Sequence, residues 1–450
     1  MKLNTKRTML VGLAFLSICI FWQMYDSVMT LILTDTFHLN ETIAGAVMAA
    51  DNVLALFLLP LFGALSDKTN TRIGRRMPYI IGGTAAAVVL MNLLPVLDNA
   101  YAASPSPLIL GLFIAVLALL LVAMGVYRSP AVALMPDVTP KPLRSRGNAV
   151  INLMGSAGGI IVLALGMVFA TASVSNSMMS YTGYFGVIAA LMLAALVVFM
   201  LTVREPEWAK EMQAQSVAAG VENAEEADHP NEGRKLSADE VKSLLLILLS
   251  IVLWFFGYNA VTSKYSVYAS NILHKDYNLT LIIAQAAAIA AYLPVGFIAG
   301  KIGRKKTILA GVVMLTVAFG VAGFLTADSP AALMNAMFAL AGIAWATINV
   351  NSFPMVVELA SGGDVGKYTG FYYTASMAAQ VATPMVSGLL MDKFGMHVLF
   401  PYAAVFTALA FVTMLFVKHG DSREMPKQTA AAGTEDAGAI DNTVEELTND

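Results

Sequence analysis

GALSDKTNTRIGRR, residues 63–76, is a basic loop between two apolar runs, and it returns later as GFIAGKIGRK, residues 296–305. GALSDK (63–68) corresponds to GFIAGK (296–301) at an offset of 233; the first copy inserts Thr69 to Arg72, and IGRR (73–76) then matches IGRK (302–305). The same offset aligns LSICIFWQMYDSV (16–28) with LSIVLWFFGYNAV (249–261), so that Leu16, Ser17, Ile18, Tyr25 and Val28 recur as Leu249, Ser250, Ile251, Tyr258 and Val261. A third match lies further on: Asp137 precedes Arg146 by nine residues, and Glu358 precedes Lys367 by nine. The chain is a tandem of two related halves.

Composition says what the halves are made of. Of 450 residues, 58% are hydrophobic and 13% charged, with a mean hydropathy of +0.70. Soluble proteins carry roughly 25% charged residues, so this is the composition of a polytopic membrane protein. A membrane-spanning helix needs about 20 mostly apolar residues. Twelve stretches qualify: 9–33, 42–65, 78–97, 107–135, 148–172, 182–203, 242–262, 279–300, 306–326, 331–357, 368–391 and 397–417. The expected fold is all-α, with twelve transmembrane helices in two six-helix bundles. The first bundle occupies 1–203 and the second 242–417, joined by an acidic linker at 204–241 and followed by an acidic tail at 418–450 expected to be disordered. The basic N-terminus leads into an apolar run too long for a signal peptide, and it reads as the first span.

Positive charge orients the bundle. The N-terminus, the even-numbered loops, the linker and the tail hold 23 of 27 basic residues, which predicts that both termini are cytoplasmic. The net charge of −3 gives no reason to expect nucleic acid. One cysteine, Cys19, precludes an internal disulfide, and none of the five histidines falls within an apolar run, which argues against a histidine proton relay. No HExxH and no nucleophile elbow is present, so the chain reads as no enzyme, with no cofactor and no metal.

Two six-span halves in parallel repeat describe many secondary transporters, whose substrate sites lie near the midplane between the halves. The repeated G-x-x-x-D-(R/K)…G-R-(R/K) loop resembles the motif of the major facilitator superfamily. Within it, SDKTNTRIGRRMPYI (66–80) and PAVALMPDVT (130–139) resemble the glycoside–pentoside–hexuronide:cation symporters and most of all the bacterial relatives of the sucrose:proton symporters. The resemblance implies alternating access, a bacterial plasma-membrane location and action as a monomer. It also implies a cavity lined by spans 1, 4, 7 and 10. In the melibiose-type branch, span 2 carries two acids where this chain has Leu59 and Ala55, and span 4 carries an aspartate where this chain has Arg128. The sodium site of that branch is not reproduced, and protons become the expected coupling ion.

The loop residues are candidates for a cytoplasmic gate: Gly63, Asp67, Gly74, Arg75, Arg76, Asp137 and Arg146 in the first half, and Gly303, Arg304, Glu358 and Lys367 in the second. The glycines permit close helix approach. Arg75 and Arg304 can bind helix-terminal carbonyls or the acids Asp67, Asp137 and Glu358, clamping one state. The simpler alternative is that the basic residues only set topology.

Three charges lie inside spans: Asp26, Asp51 and Arg128. A charge at such depth costs at least a few kcal/mol unless paired, hydrated or protonated. The repeat places Asn259 opposite Asp26, Ala284 opposite Asp51 and Asn349 opposite Arg128. The first half thus carries titratable groups and the second carries amides, which bind hydroxyls without exchanging protons. Asp26, Asp51 and Arg128 are the expected proton-coupling set; the alternative is an ion pair that only fixes helix packing. Expected substrate residues are Trp22, Gln23, Tyr25 and Asn152, with Asn148 beside it, in the first half. The second half offers Trp254, Tyr258, Asn259, Trp345, Asn349, Tyr372 and Gln380, with Tyr373 beside Tyr372. Aromatic faces and amides in this mixture suit a sugar. The sequence therefore predicts proton-coupled uptake of a sugar or glycoside, with an efflux antiporter for amphipathic molecules and a transport-inactive solute sensor as alternatives.

Overall fold

The computed structural model describes residues 2–39, 41–169, 171, 180–220, 236–273, 278–360 and 364–421. In lipid every backbone polar group must find a partner within its own segment, so each apolar run becomes a helix. The first half contains α1 (Thr5–Leu31, continued by a π-helical turn over Ile32–Thr36), α2 (Glu41–Lys68), α3 (Met77–Ala103), α4 (Pro107–Asp137), α5 (Arg144–Val168) and α6 (Thr182–Thr202). A short helix, α7 (Glu205–Ala218), follows. The second half contains α8 (Ala238–Tyr268), α9 (Asn278–Ile302), α10 (Arg304–Ala322), α11 (Ala331–Val357), α12 (Val365–Phe394) and α13 (Leu399–Leu415). Eleven of these are long and apolar enough to cross a membrane. Of the other two, α7 is only 14 residues long, and α12 has the length, but Thr369, Tyr372, Tyr373, Ser376 and Gln380 dilute its apolarity.

Several boundaries differ from the sequence expectation. Helix α3 runs past 97 to Ala103, with Asp98 buried within it instead of ending the span. Helix α8 continues to Tyr268, so Lys264 lies within it. The linker expected at 204–241 is helical over its first third, and residues 418–421 of the tail pack against the bundle. The rest of the linker, 221–235, and the expected disordered tail, 422–450, lie outside the described residues.

The repeat is visible in the packing. In the first half α1 packs on α5 and α6, α3 on α4 and α6, and α2 on α4. In the second, α8 packs on α12 and α13, α10 on α11 and α13, and α9 on α11, each the counterpart of a first-half pair. The halves meet through α2 against α12 and α5 against α9, with α5 also on α11 and α4 on α12. Where α2 crosses α12 the backbones touch: a Cβ at Gly63 would stand 2.2 Å from the Gly366 carbonyl oxygen. The repeated loop turns on Gly74 and Gly303, with φ of +121° and +95°, a region that side-chain-bearing residues rarely enter.

Both repeated loops are held from a distance. The N-terminus of α3 has no local side-chain cap. Instead the buried Glu205 carboxylate, at the start of α7, accepts from the backbone N–H groups of Arg75 (2.9 Å), Arg76 (3.0 Å) and Met77 (3.1 Å). In the second half Asp421 accepts from the N–H groups of Arg304 (2.6 Å) and Lys305 (3.2 Å), at the start of α10. Orphan donors at a helix start favour a carboxylate. Each half uses an acid that follows its last span.

Candidate functional site

Between the halves lies a cavity of about 430 Å³, within the size range of small-molecule sites. Helical periodicity explains its walls. Helix α1 presents Phe15, Ile18, Cys19, Trp22 and Asp26, a single stripe at three- and four-residue spacing. Helix α12 presents Tyr372, Tyr373, Ser376, Met377 and Gln380, and α11 presents Trp345, Asn349 and Phe353. Helix α2 adds Asp51 and Asn52, α4 adds Arg128 and Val132, α5 adds Asn148, Ile151 and Asn152, and α8 adds Phe255.

The three charges of the spans therefore share one cavity. Asp26 is exposed, and Asn52 donates to Asp51 (2.9 Å). Among the described residues, no carboxylate comes within 4.0 Å of the Arg128 guanidinium, so the ion pair considered as a packing device is not formed here. Two rings hold Arg128 instead: Trp22 of the first half, 5.3 Å from the guanidinium carbon, and Tyr373 of the second, at 5.0 Å. Cation–π contacts of this length steer the group without neutralising it.

The floor is built by α5. Asn148 donates to the carbonyls of Asn349 and Val350, both at 3.0 Å, across the interface between the halves. Below it the halves are pinned at the end that carries the basic loops. Arg144 donates to the Val357 carbonyl (3.1 Å). Arg304 donates to Ser145 Oγ (3.0 Å) and to the Lys141 carbonyl while ion-pairing with Glu358 (2.6 Å). Asp67 accepts from the N–H groups of Gly366 (2.8 Å) and Lys367 (2.7 Å). The fully buried Arg76 holds Asp67 (2.5 Å) and Asp137 (2.8 Å), and Arg75 reaches Asp137 from the side (2.9 Å). Asp137 and Asp67 raise the Arg76 pKa despite its burial, so it stays charged. The arrangement is a polar chamber sealed on one side.

A family model for the major facilitator superfamily matches residues 11–292 and 267–441. The chain belongs to the major facilitator superfamily. It is a multi-pass membrane transporter and not an enzyme. Its fold matches the proton:xylose symporter XylE bound to 6-bromo-6-deoxy-D-glucose, with a TM-score of 0.69 at 16% identity over 93% of this chain and 97% of that one. FucP in the outward conformation matches with a TM-score of 0.67 at 15% identity over 92% of this chain and 98% of that one. The human organic anion transporter MFSD10 gives a TM-score of 0.66 at 15% identity, covering 92% and 100%. In sequence, the MFS-type transporter ppzB of Metarhizium majus is 26% identical over 123 residues. That match spans 27% of this chain and only 26% of the relative.

Within this superfamily fold the sequence-expected wall residues divide. Trp22, Asn152, Trp345, Asn349, Tyr372 and Gln380 line the cavity. Five others do not. Gln23 turns along α1 to Ser27 (3.3 Å). Tyr25 is 1% exposed and packs on Phe21 and Trp22. Trp254 is fully buried in the second-half core. Tyr258 lies flat behind Trp345, ring centroids 3.7 Å apart, and supports it from outside the cavity. Asn259 also lies off the lining. Residues that the sequence reading passed over include Asn52, Ser376, Phe255, Phe353 and Met377. The spacing from Tyr372 and Tyr373 to Ser376, Met377 and Gln380 was the signal for the α12 members.

Among the expected gate residues, Arg146 stacks on Phe297 of α9 (4.5 Å) and the Lys367 ammonium lies 5.9 Å from the Phe371 ring. Arg144 and Glu205, both absent from the expectation, carry more of the contacts.

Proposed function

We propose that the protein is a proton-coupled symporter that takes up a small polar solute, a sugar or glycoside, by alternating access. The observation that carries the reading is the chamber between the halves: two carboxylates among amides, hydroxyls and rings, above a floor sealed at one end. Asp26 and Asp51 supply sites that gain and lose a proton, and carboxylates at membrane depth serve such relays. Asn152, Asn349 and Gln380 supply hydrogen bonds to hydroxyls, and Trp22 and Trp345 supply faces for C–H surfaces. In this reading the basic end is cytoplasmic, the chamber loads from outside, and the Arg76, Arg144 and Arg304 clamps release as the opposite end closes. The leucine and alanine at positions 59 and 55 favour H⁺ over Na⁺, and the transporter acts as a monomer.

The test is uptake of radiolabelled mono- and disaccharides, neutral and acidic, into proteoliposomes with and without an imposed pH gradient. The expected result is accumulation of at least one sugar only under an inward proton gradient. Gradient-independent equilibration of every sugar, or export of lipophilic cations, sinks the proposal.

A further inference from the structure

We propose that the transported solute carries one negative charge, that Arg128 is its counter-ion, and that transport is electroneutral. The inference rests on the symporter reading above and names the substrate class of that same cavity.

Several donors of the cavity lining are already engaged. Asn148 is committed to two carbonyls across the floor, Asn152 donates to the Asn148 carbonyl (2.8 Å), and Asn52 donates to Asp51 (2.9 Å). Arg128 is the only cation among the described lining residues. It lies over the Tyr373 ring at 5.0 Å, and its planar fork of five N–H donors matches a carboxylate bidentately. The cavity's own carboxylates, Asp26 and Asp51, stay beyond ion-pair distance. Rings from both halves fix the guanidinium in place. An oriented guanidinium with no carboxylate in contact among the described residues, facing a chamber of solute size, is a built site for an anion.

Charge balance gives the coupling. A central cavity crosses its occluded state cheaply only when its contents sum to about zero. The other titratable lining groups, Cys19, Tyr372 and Tyr373, are neutral at physiological pH. In the empty carrier, Arg128 balances one ionised aspartate while the other holds a proton, and the sum is zero. When an anion binds at Arg128, the ionised aspartate must take up one proton to restore that sum. On release the anion leaves Arg128, the proton leaves the aspartate, and the empty carrier returns neutral. One proton crosses with one monoanion, and no net charge moves. A hydroxylated monocarboxylate fits the amide and ring walls as well as the guanidinium.

The experiment uses the full chain in proteoliposomes, with radiolabelled glucuronate and glucose as ring-matched probes. Uptake is measured under a pH gradient, with the membrane potential set independently by potassium and valinomycin. The expected result is pH-driven glucuronate uptake indifferent to an inside-negative potential, with glucose taken up poorly. Arg128→Gln is expected to weaken glucuronate uptake by about ten- to hundredfold, the loss of a charge-assisted hydrogen bond, and Arg128→Lys to recover part of it. If glucose is concentrated with inward charge movement and glucuronate is not, the solute is neutral and this inference falls while the symporter reading stands. If neither is driven by the pH gradient, the symporter reading falls and this inference with it. Because the wild-type charge movement decides the matter, poor folding of Arg128→Gln does not protect the proposal.

Discussion

Replacing Gly63 by alanine is expected to open the sealed end. The added methyl would stand 2.2 Å from the Gly366 carbonyl oxygen and 2.8 Å from Ser129 Oγ. Ordinary contact begins near 3.4 Å, so α2 and α12 must separate locally by about 1.2 Å. The obstacle is backbone on a facing helix, which cannot swing aside as a side chain can. Overpacking of this kind costs about 1–3 kcal/mol. If that cost falls only on the state sealed at the basic end, the population shifts by roughly 5- to 160-fold toward the opposite state. The assay places one cysteine in the chamber by Asn152→Cys in a Cys19→Ser background. Its alkylation by a membrane-impermeant maleimide is then timed from each side. The ratio of the rate from the basic-loop side to the rate from the other side is expected to rise by roughly 5- to 160-fold on adding Gly63→Ala. Unchanged rates on both sides, with the thermal midpoint preserved, refute the view that the α2–α12 crossing is part of the gate.

Other outcomes follow from the charged groups. Asp26→Asn is expected to abolish concentrative uptake and leave exchange intact, read by counterflow; loss of exchange at normal protein levels would place Asp26 in substrate binding or folding instead. Arg76→Gln leaves Asp67 and Asp137 buried beside no full charge but Arg75, and breaking a buried pair costs about 3–5 kcal/mol, so the thermal midpoint in detergent is expected to fall sharply. A midpoint within a degree or two of wild type would contradict that placement. Burial, with Asp137 nearby, raises the Glu205 carboxyl above its usual value against the pull of the α3 amides. A raised native pKa means that the folded state holds the proton more tightly than the unfolded one. Its stabilising contribution is therefore full below the unfolded value near 4.5 and is lost as pH rises through the native value. Exchange protection of α7 is expected to increase as the pH is lowered toward 4.5, and Glu205→Gln to remove that dependence.

Hydropathy and the repeat made the twelve spans legible, because length and apolarity alone specify a helix in lipid. They also gave the depth of Asp26, Asp51 and Arg128 along their helices. What they did not give is the face. One residue along a helix turns by about 100°, so Tyr25, adjacent to Asp26, enters the first-half core while Asp26 and Trp22 face the chamber. The repeat-related Tyr25 and Tyr258 occupy matching packing positions: one braces Trp22 and the other braces Trp345. The loop chemistry was legible as charge and glycine, but Glu205 was hidden because its partners, Arg75 to Met77, are about 130 residues away. Only tertiary structure brings the start of the linker back to that loop.

The paired acids Glu205 and Asp421 bear on how the chain could be divided. Each belongs to the polypeptide of the half whose loop it secures, and the stretch 221–235 lies between the last residue of α7 and the first of α8. Two separately translated pieces, cut in that stretch, would each bring along the carboxylate that holds the helix start after its own repeated loop. Meeting in a membrane, they would need to find one another across α2–α12 and α5–α9, with α5–α11 and α4–α12 beside them. Conversely, a tag fused ahead of Asp421 would disturb the second loop, whereas one fused after it would not.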